Sequence, residues 1–77
     1  MKASKQNPQE WLPVGQRVMV DRSYNPKGYD EHGNDVTYNI GRIAVHLANG
    51  AVAVKFDGYF AEVDYSANEA RKFSRIA

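Results

Sequence analysis

The chain contains no cysteine. A disulfide staple, a zinc–thiolate centre and a thiol nucleophile are therefore excluded, and a cytoplasmic setting is the expectation that follows. No apolar run approaches the roughly 18 residues that a membrane-spanning helix needs. The polar opening Met1–Glu10 lacks the apolar stretch of a secretory signal, so none is expected. Nor does one charge predominate: ten Lys and Arg stand against nine Asp and Glu, for a net +1. Such a balance supplies neither a strong field for polyanions nor an acidic tail. Internal repeats and low-complexity segments are missing as well. What is present is 77 residues, 43% hydrophobic and 25% charged, the composition of a globular chain rather than a disordered one. That length suffices for one domain with a thin core.

The near-neutral total hides an uneven distribution. Lys2, Lys5 and Arg17 against Glu10 leave +2 over residues 1–20. Asp21, Asp30, Glu31 and Asp35 against Arg22 and Lys27 leave −2 over residues 21–35. That acidic stretch also holds Asn25-Pro26, Lys27-Gly28 and Gly33-Asn34, so it reads as a long turn-rich loop over residues 23–37. Before it, Met1 to about Gln9 offers almost nothing to bury. The reading is a flexible tail over residues 1–10, followed by a single domain over residues 11–77.

From Gly15 the apolar pattern takes period two. Val18 and Val20 fall on one face and Arg17, Met19 and Asp21 on the other, which predicts a strand over about residues 16–22. Further on, Ile43, Val45 and Leu47 alternate with Ala44, His46 and Ala48, then Val52, Val54 and Phe56 with Ala51, Ala53 and Lys55. Asn49-Gly50 and Asp57-Gly58 separate these runs, and both dipeptides suit two-residue type I′ turns. The first turn sets Ala48 opposite Ala51 and joins Leu47 to Val52. The second sets Phe56 opposite Tyr59, Val54 opposite Ala61 and Val52 opposite Val63. Both registers place the larger aliphatics on one face, which predicts a three-stranded meander with Val18, Val45 and Val54 in its core. Ser66 with Glu69 three residues later forms a capping-box pattern over a single helical turn. Arg71–Ile76 then supplies Phe73 and Ile76 for a short last strand.

The resulting order is strand, long loop, meander, helical turn and short strand. Over residues 14–76 it resembles the small Src-homology-type barrel. The expected fold is thus all-β: a five-stranded barrel with a long first loop and one helical turn before the last strand. The stretch Gly15–Asp57, with Gly41 opening the second strand, resembles the KOW-type barrels of transcription and ribosome-associated proteins. Val54-Lys55-Phe56-Asp57, with Asp64-Tyr65-Ser66 through Glu69, is similar to the ferredoxin-docking subunit of photosystem I and its relatives in ferredoxin–thioredoxin reductase. In length and polar start the chain also resembles the type II dihydrofolate reductases. Their Val-Gln-Ile-Tyr strand is absent, with Glu62-Val63-Asp64-Tyr65 in the nearest position, so that activity does not carry over. The Ala-Leu-Tyr-Asp-Tyr motif and groove tryptophan of the peptide-binding Src-homology domains are absent too.

Candidate sites follow from residue types. Asp30-Glu31-His32-Gly33-Asn34-Asp35 offers oxygen and imidazole ligands, but a calcium loop wants glycine sixth and glutamate twelfth, whereas glycine here is fourth. A solvated turn is the expectation, with no metal and no cofactor. His32 and His46 stand apart from any serine–acid set, so the chain reads as a non-enzymatic protein. Tyr24, Tyr29 and Tyr38 cluster in or beside the long loop, where amphipathic rings grip partners. Trp11 is expected to cover one barrel end. Met19 and Phe60 are expected on the outward face together with Ala44, Ala48, Ala51 and Ala53. The leading expectation is a protein-binding module, an accessory or regulatory protein of the kind phages and mobile elements carry. It presents Tyr24, Tyr29, Asp30, Glu31 and Tyr38, with Met19 and Phe60 as a second contact, to a larger protein partner. The module itself is read as a monomer or weak homodimer, with no membrane contact. The alternative is a nucleic-acid-binding barrel using Arg42, Lys55, Arg71, Lys72 and Arg75, with Arg17 able to join them.

Overall fold

A computed structural model describes residues 7–77. Its strands are short: β1 is Arg17–Met19, β2 Lys27–Tyr29, β3 Asp35–Thr37, β4 Ile40–His46, β5 Val52–Phe56, β6 Glu62–Tyr65 and β7 Ser74–Ile76. Two turns of α-helix accompany them, α1 over Pro8–Trp11 and α2 over Ala67–Ala70. The five longer-range strands form one antiparallel sheet in the order β6-β5-β4-β1-β7, while β2 and β3 pair only with each other. The chain is therefore mostly β, as expected, but has seven strands in two sheets rather than a five-stranded barrel. Closure is absent among the described residues, since β6 and β7 form opposite edges of the larger sheet.

The extra pair of strands lies inside the segment expected to be a long loop. Lys27 pairs with Thr37, Gly28 with Val36 and Tyr29 with Asp35. The Asp30 carboxylate closes the ribbon by accepting the backbone N–H groups of His32 and Asn34, each at 2.9 Å. Gly33, at φ 81°, supplies the left-handed residue that the turn needs. A side chain that makes its own turn converts a polar loop into a hairpin.

The meander forms where the turn dipeptides and period-two pattern place it, but in a different register. Leu47 N–H donates to the Ala51 carbonyl at 2.9 Å, so the first loop holds three residues, Ala48 to Gly50. Asn49 is left-handed there, at φ 61°. A bulge then intervenes: His46 pairs with Val52 and Val45 with Ala53, yet Ile43 pairs with Val54. The extra residue reverses which face each side chain takes. Val45, expected in the core, is 41% exposed, and His46 turns inward to place Nε2 at 2.8 Å from the Leu12 carbonyl. The second turn also differs, because Val54 pairs with Val63 and Val52 with Tyr65. That slip is two residues, an even number, so Val63 keeps the inward parity expected of it, and Tyr65, on the same face, is buried.

The core gathers Leu12, Val18, Val20, Ile43, Val52, Val54, Phe56, Tyr65, Ala70 and Phe73, with Trp11 at its margin. Ala53, expected to face outward, is buried. The expected tail over residues 1–10 falls largely on residues 1–6, outside the described residues. Pro8–Trp11 is helical, and Gln9 Nε2 donates to the carbonyls of Leu47 at 2.5 Å and Ala51 at 2.9 Å. Beyond the meander, the expected capping box is formed in full: Ser66 N–H donates to Glu69 Oε1 at 2.9 Å and Glu69 N–H to Ser66 Oγ at 3.2 Å. It turns the chain back, so that β7 pairs with β1.

Candidate partner-binding surface

Among the described residues, the β2–β3 hairpin is anchored at its Tyr38 end. Tyr38, immediately after β3, lies with its ring against Gly28, where an added Cβ would stand 3.4 Å from the ring edge. On its other side is Gly58, whose corresponding distance is 3.6 Å. The Asp57-Gly58 turn is closed by Tyr59 N–H donating to the Phe56 carbonyl at 3.1 Å. Two glycines thus leave room for a ring that ties the hairpin to the turn after β5. Tyr38 packs on Tyr59 with ring centroids 5.0 Å apart, and Tyr59 packs on Phe60 at 4.9 Å. Burial falls off along this stack. Tyr38 and Tyr59 are half-buried, whereas Phe60 is 87% exposed.

At the hairpin, Tyr29 is 74% exposed. It borders a shallow hollow of about 390 Å³ together with Lys27, Gly28, Asp35, Val36 and Thr37. Glu31 is exposed at the tip. Asp30 is exposed too, but its carboxylate is committed to the turn, and the N–H groups of Asn34 and His32 hold its pKa below the ordinary 3.8. Asp30 shapes the loop that displays Tyr29 and Glu31.

The other residues singled out from sequence fall elsewhere. Tyr24 is half-buried against Tyr65, ring centroids 6.4 Å apart and edge to face. Its backbone carbonyl accepts the Tyr65 hydroxyl at 2.5 Å, and its own hydroxyl accepts from Lys72 Nζ at 3.0 Å. This bond, with the nearby tyrosine and carboxylates, raises the Lys72 pKa. Burial, with the Glu69 charge second, pushes the Tyr65 hydroxyl up to about 12. Met19 is 44% exposed and lines a different hollow, with Asp21, Asn39, Lys72 and Ser74.

The basic residues divide. Cross-strand pairing sets Arg42 beside Lys55 and also beside Arg17. Arg71 bonds the Asn68 side chain at the end of α2, and Arg75 lies 5.7 Å over the Trp11 ring. The expected set is therefore not one face. No group of three or more metal-ligating side chains gathers among the described residues.

No family model matches this chain, and no curated protein or solved structure is significantly similar to it. Tyr59 is the surface residue that the sequence reading missed. The tight register that Asp57-Gly58 implies sets it opposite Phe56, whereas the observed pairing of Lys55 with Glu62 leaves it in the loop. The signal available was its place between two further aromatics, Phe56 on one side of the turn and Phe60 on the other.

Proposed function

We propose that the chain is a non-enzymatic protein-binding module whose partner surface is the β2–β3 hairpin together with the aromatic stack at its base. The observation that carries this reading is the stack itself. Three rings run from the foot of the hairpin into solvent and end in a phenylalanine that is 87% exposed. Large aromatic side chains left open beside a rigid scaffold are the usual anchors of protein interfaces. Tyr29 adds a second amphipathic ring, and Glu31 with Asp35 sets the sign of the surface, which fits a partner carrying basic residues around an apolar patch. Among the described residues, the outer backbone edges of β2 and β3 pair with no other strand and are open to main-chain hydrogen bonds.

The scaffold supports the same reading. A last strand beside the first, a three-strand meander on the far side and a hairpin in the first connection resemble the Src-homology-type arrangement, in which the first connection contributes to recognition. An arrangement of this kind suits an accessory or regulatory role in a cytoplasmic assembly.

In-cell photo-crosslinking tests the proposal. A benzoylphenylalanine at position 29 is expected to give adducts that protease destroys and nuclease spares, while the same group at position 68 gives none. Equal adducts at both positions, or nuclease-sensitive adducts at 29, would refute it.

A further inference from the structure

We propose that the outward face of the five-stranded sheet is a track for single-stranded nucleic acid, separate from the hairpin. Register places Ile76, Arg17, Arg42, Lys55 and Glu62 directly opposite one another across β7, β1, β4, β5 and β6. Three cations therefore stand in one row across three adjacent central strands. Neighbouring strands are about 4.8 Å apart, so the row spans about 10 Å. Like charges directly opposite each other destabilise a sheet. The chain has nine carboxylates with which to relieve the row, and among the described residues one forms an ion pair there, Asp57 with Arg17 at 3.4 Å.

The remaining contacts leave the charge in place. Arg42 donates to the Gly15 carbonyl at 3.3 Å. Lys55 Nζ donates to the carbonyls of Phe56, at 3.2 Å, and Tyr59. A carbonyl satisfies a donor without neutralising it. The Arg17 Nε has no acceptor among the described residues. At the Arg17 end the row opens onto a shallow hollow of about 510 Å³, which Arg17 and Arg42 line together.

The other end of the row supplies the second half of the chemistry. The Lys55–Tyr59 bond brings the ammonium group to the residue before Phe60, whose ring is 87% exposed. Cations that end at an open aromatic ring match a phosphodiester backbone that ends at an unstacked base. A peptide of acidic residues answers the cations but leaves the ring unmatched, and a duplex hides its base faces. Arg71, Lys72 and Arg75 take no part, since Asn68 of α2, the Tyr24 hydroxyl and the Trp11 ring respectively engage them away from this row. The inference shares Phe60 with the proposed protein surface but needs neither Tyr29 nor the hairpin.

Fluorescence anisotropy with labelled 12-mers of deoxythymidine and uridine, titrated with the full chain from 50 to 300 mM salt, tests the track. With Arg17 paired to Asp57, the two unpaired cations neutralise two phosphates on a single strand, which predicts a log–log salt slope of about −1.4. Arg42→Glu with Lys55→Glu is expected to weaken binding more than tenfold. Phe60→Ala is expected to weaken it between about five- and a hundredfold, and Tyr29→Ala to leave it unchanged. Arg42→Gln keeps the test sound if charge reversal harms folding: it is expected to weaken binding while leaving the melting temperature unchanged or raised, because it relieves like-charge repulsion. Absence of binding at 50 mM salt overturns the proposal. So does equal affinity of the charge-reversed variant, or binding of poly-glutamate as tight as that of the oligonucleotides with no dependence on Phe60.

Discussion

Replacing Gly41 with alanine should unseat the strand pairing on which both surfaces depend. Gly41 lies opposite Phe56 in the β4–β5 register. A Cβ there would stand 2.5 Å from the Lys55 carbonyl oxygen and 2.8 Å from Phe56 Cα. Two carbons sit comfortably at about 3.5 Å or more, so the overlap with Phe56 is about 0.7 Å. The obstructing atoms are backbone, so no rotamer change relieves the clash. Overpacking of this kind costs about 1–3 kcal/mol, and a site walled by backbone belongs near the top of that range. Alanine also stiffens the unfolded chain, which returns about 0.4–1 kcal/mol. The net loss is about 2 kcal/mol, or a fall in melting temperature of about 8–16 °C for a domain of this size. Circular dichroism melts of the two proteins measure it. An unchanged or raised melting temperature, the result of the entropy term alone, would refute the close approach of β4 to β5.

Four further outcomes follow from particular contacts. Tyr65→Phe removes the hydroxyl that donates to the Tyr24 carbonyl and should lower stability by about 1 kcal/mol in urea titrations; no change would show that water replaces the bond. Ser66→Ala breaks the capping box and should also cost about 1 kcal/mol, whereas Ser66→Asp should restore most of it. The Tyr65 pKa is raised to about 12 in the folded protein. Its stabilising contribution is therefore whole below the ordinary value of 10 and lost as pH rises from 10 towards 12. Ultraviolet titration should show the Tyr65 hydroxyl ionising above pH 10, together with unfolding. The folded Asp30 pKa is lowered from 3.8, so its contribution is present above that value and lost as pH falls through the folded one. The amide resonances of His32 and Asn34 should report the hairpin loosening at that acid limit, and Asp30→Asn should remove the transition.

What the sequence disclosed, and what it hid, divides by how local the cause is. The meander strands follow from an alternation several residues long and from glycine-containing turns. The helical turn of α2 follows from Ser66 and Glu69, which cap each other within four residues. By contrast, the bulge between Ile43 and Val45 accompanies a contact of His46 with the Leu12 carbonyl, in a segment more than thirty residues earlier. The turn of α1 is held by Gln9 reaching the Leu47 and Ala51 carbonyls, and four residues have no intrinsic helical stability to reveal in advance. β2 and β3 are three residues each, too short for period two to register, and the Asp30 turn that joins them resembled a solvated loop. Exposure of Tyr29, Met19 and Phe60 was legible from strand parity and turn context. Tyr59 and the pairing of Arg17 with Arg42 were not, because both depend on registers that the turns alone did not determine.

The central claim is that Tyr29 and Glu31 contact a protein partner without supporting the fold. Calorimetric titration of the polypeptide captured through position 29 tests it most directly, with the wild-type chain compared to Tyr29→Ala with Glu31→Lys. A lost aromatic anchor costs about 2 kcal/mol of binding, so the expected result is a fall in affinity of about thirtyfold. The melting temperature should stay within about 4 °C, since both side chains are exposed. Unchanged affinity, or a loss of affinity that tracks a large loss of stability, would contradict the account.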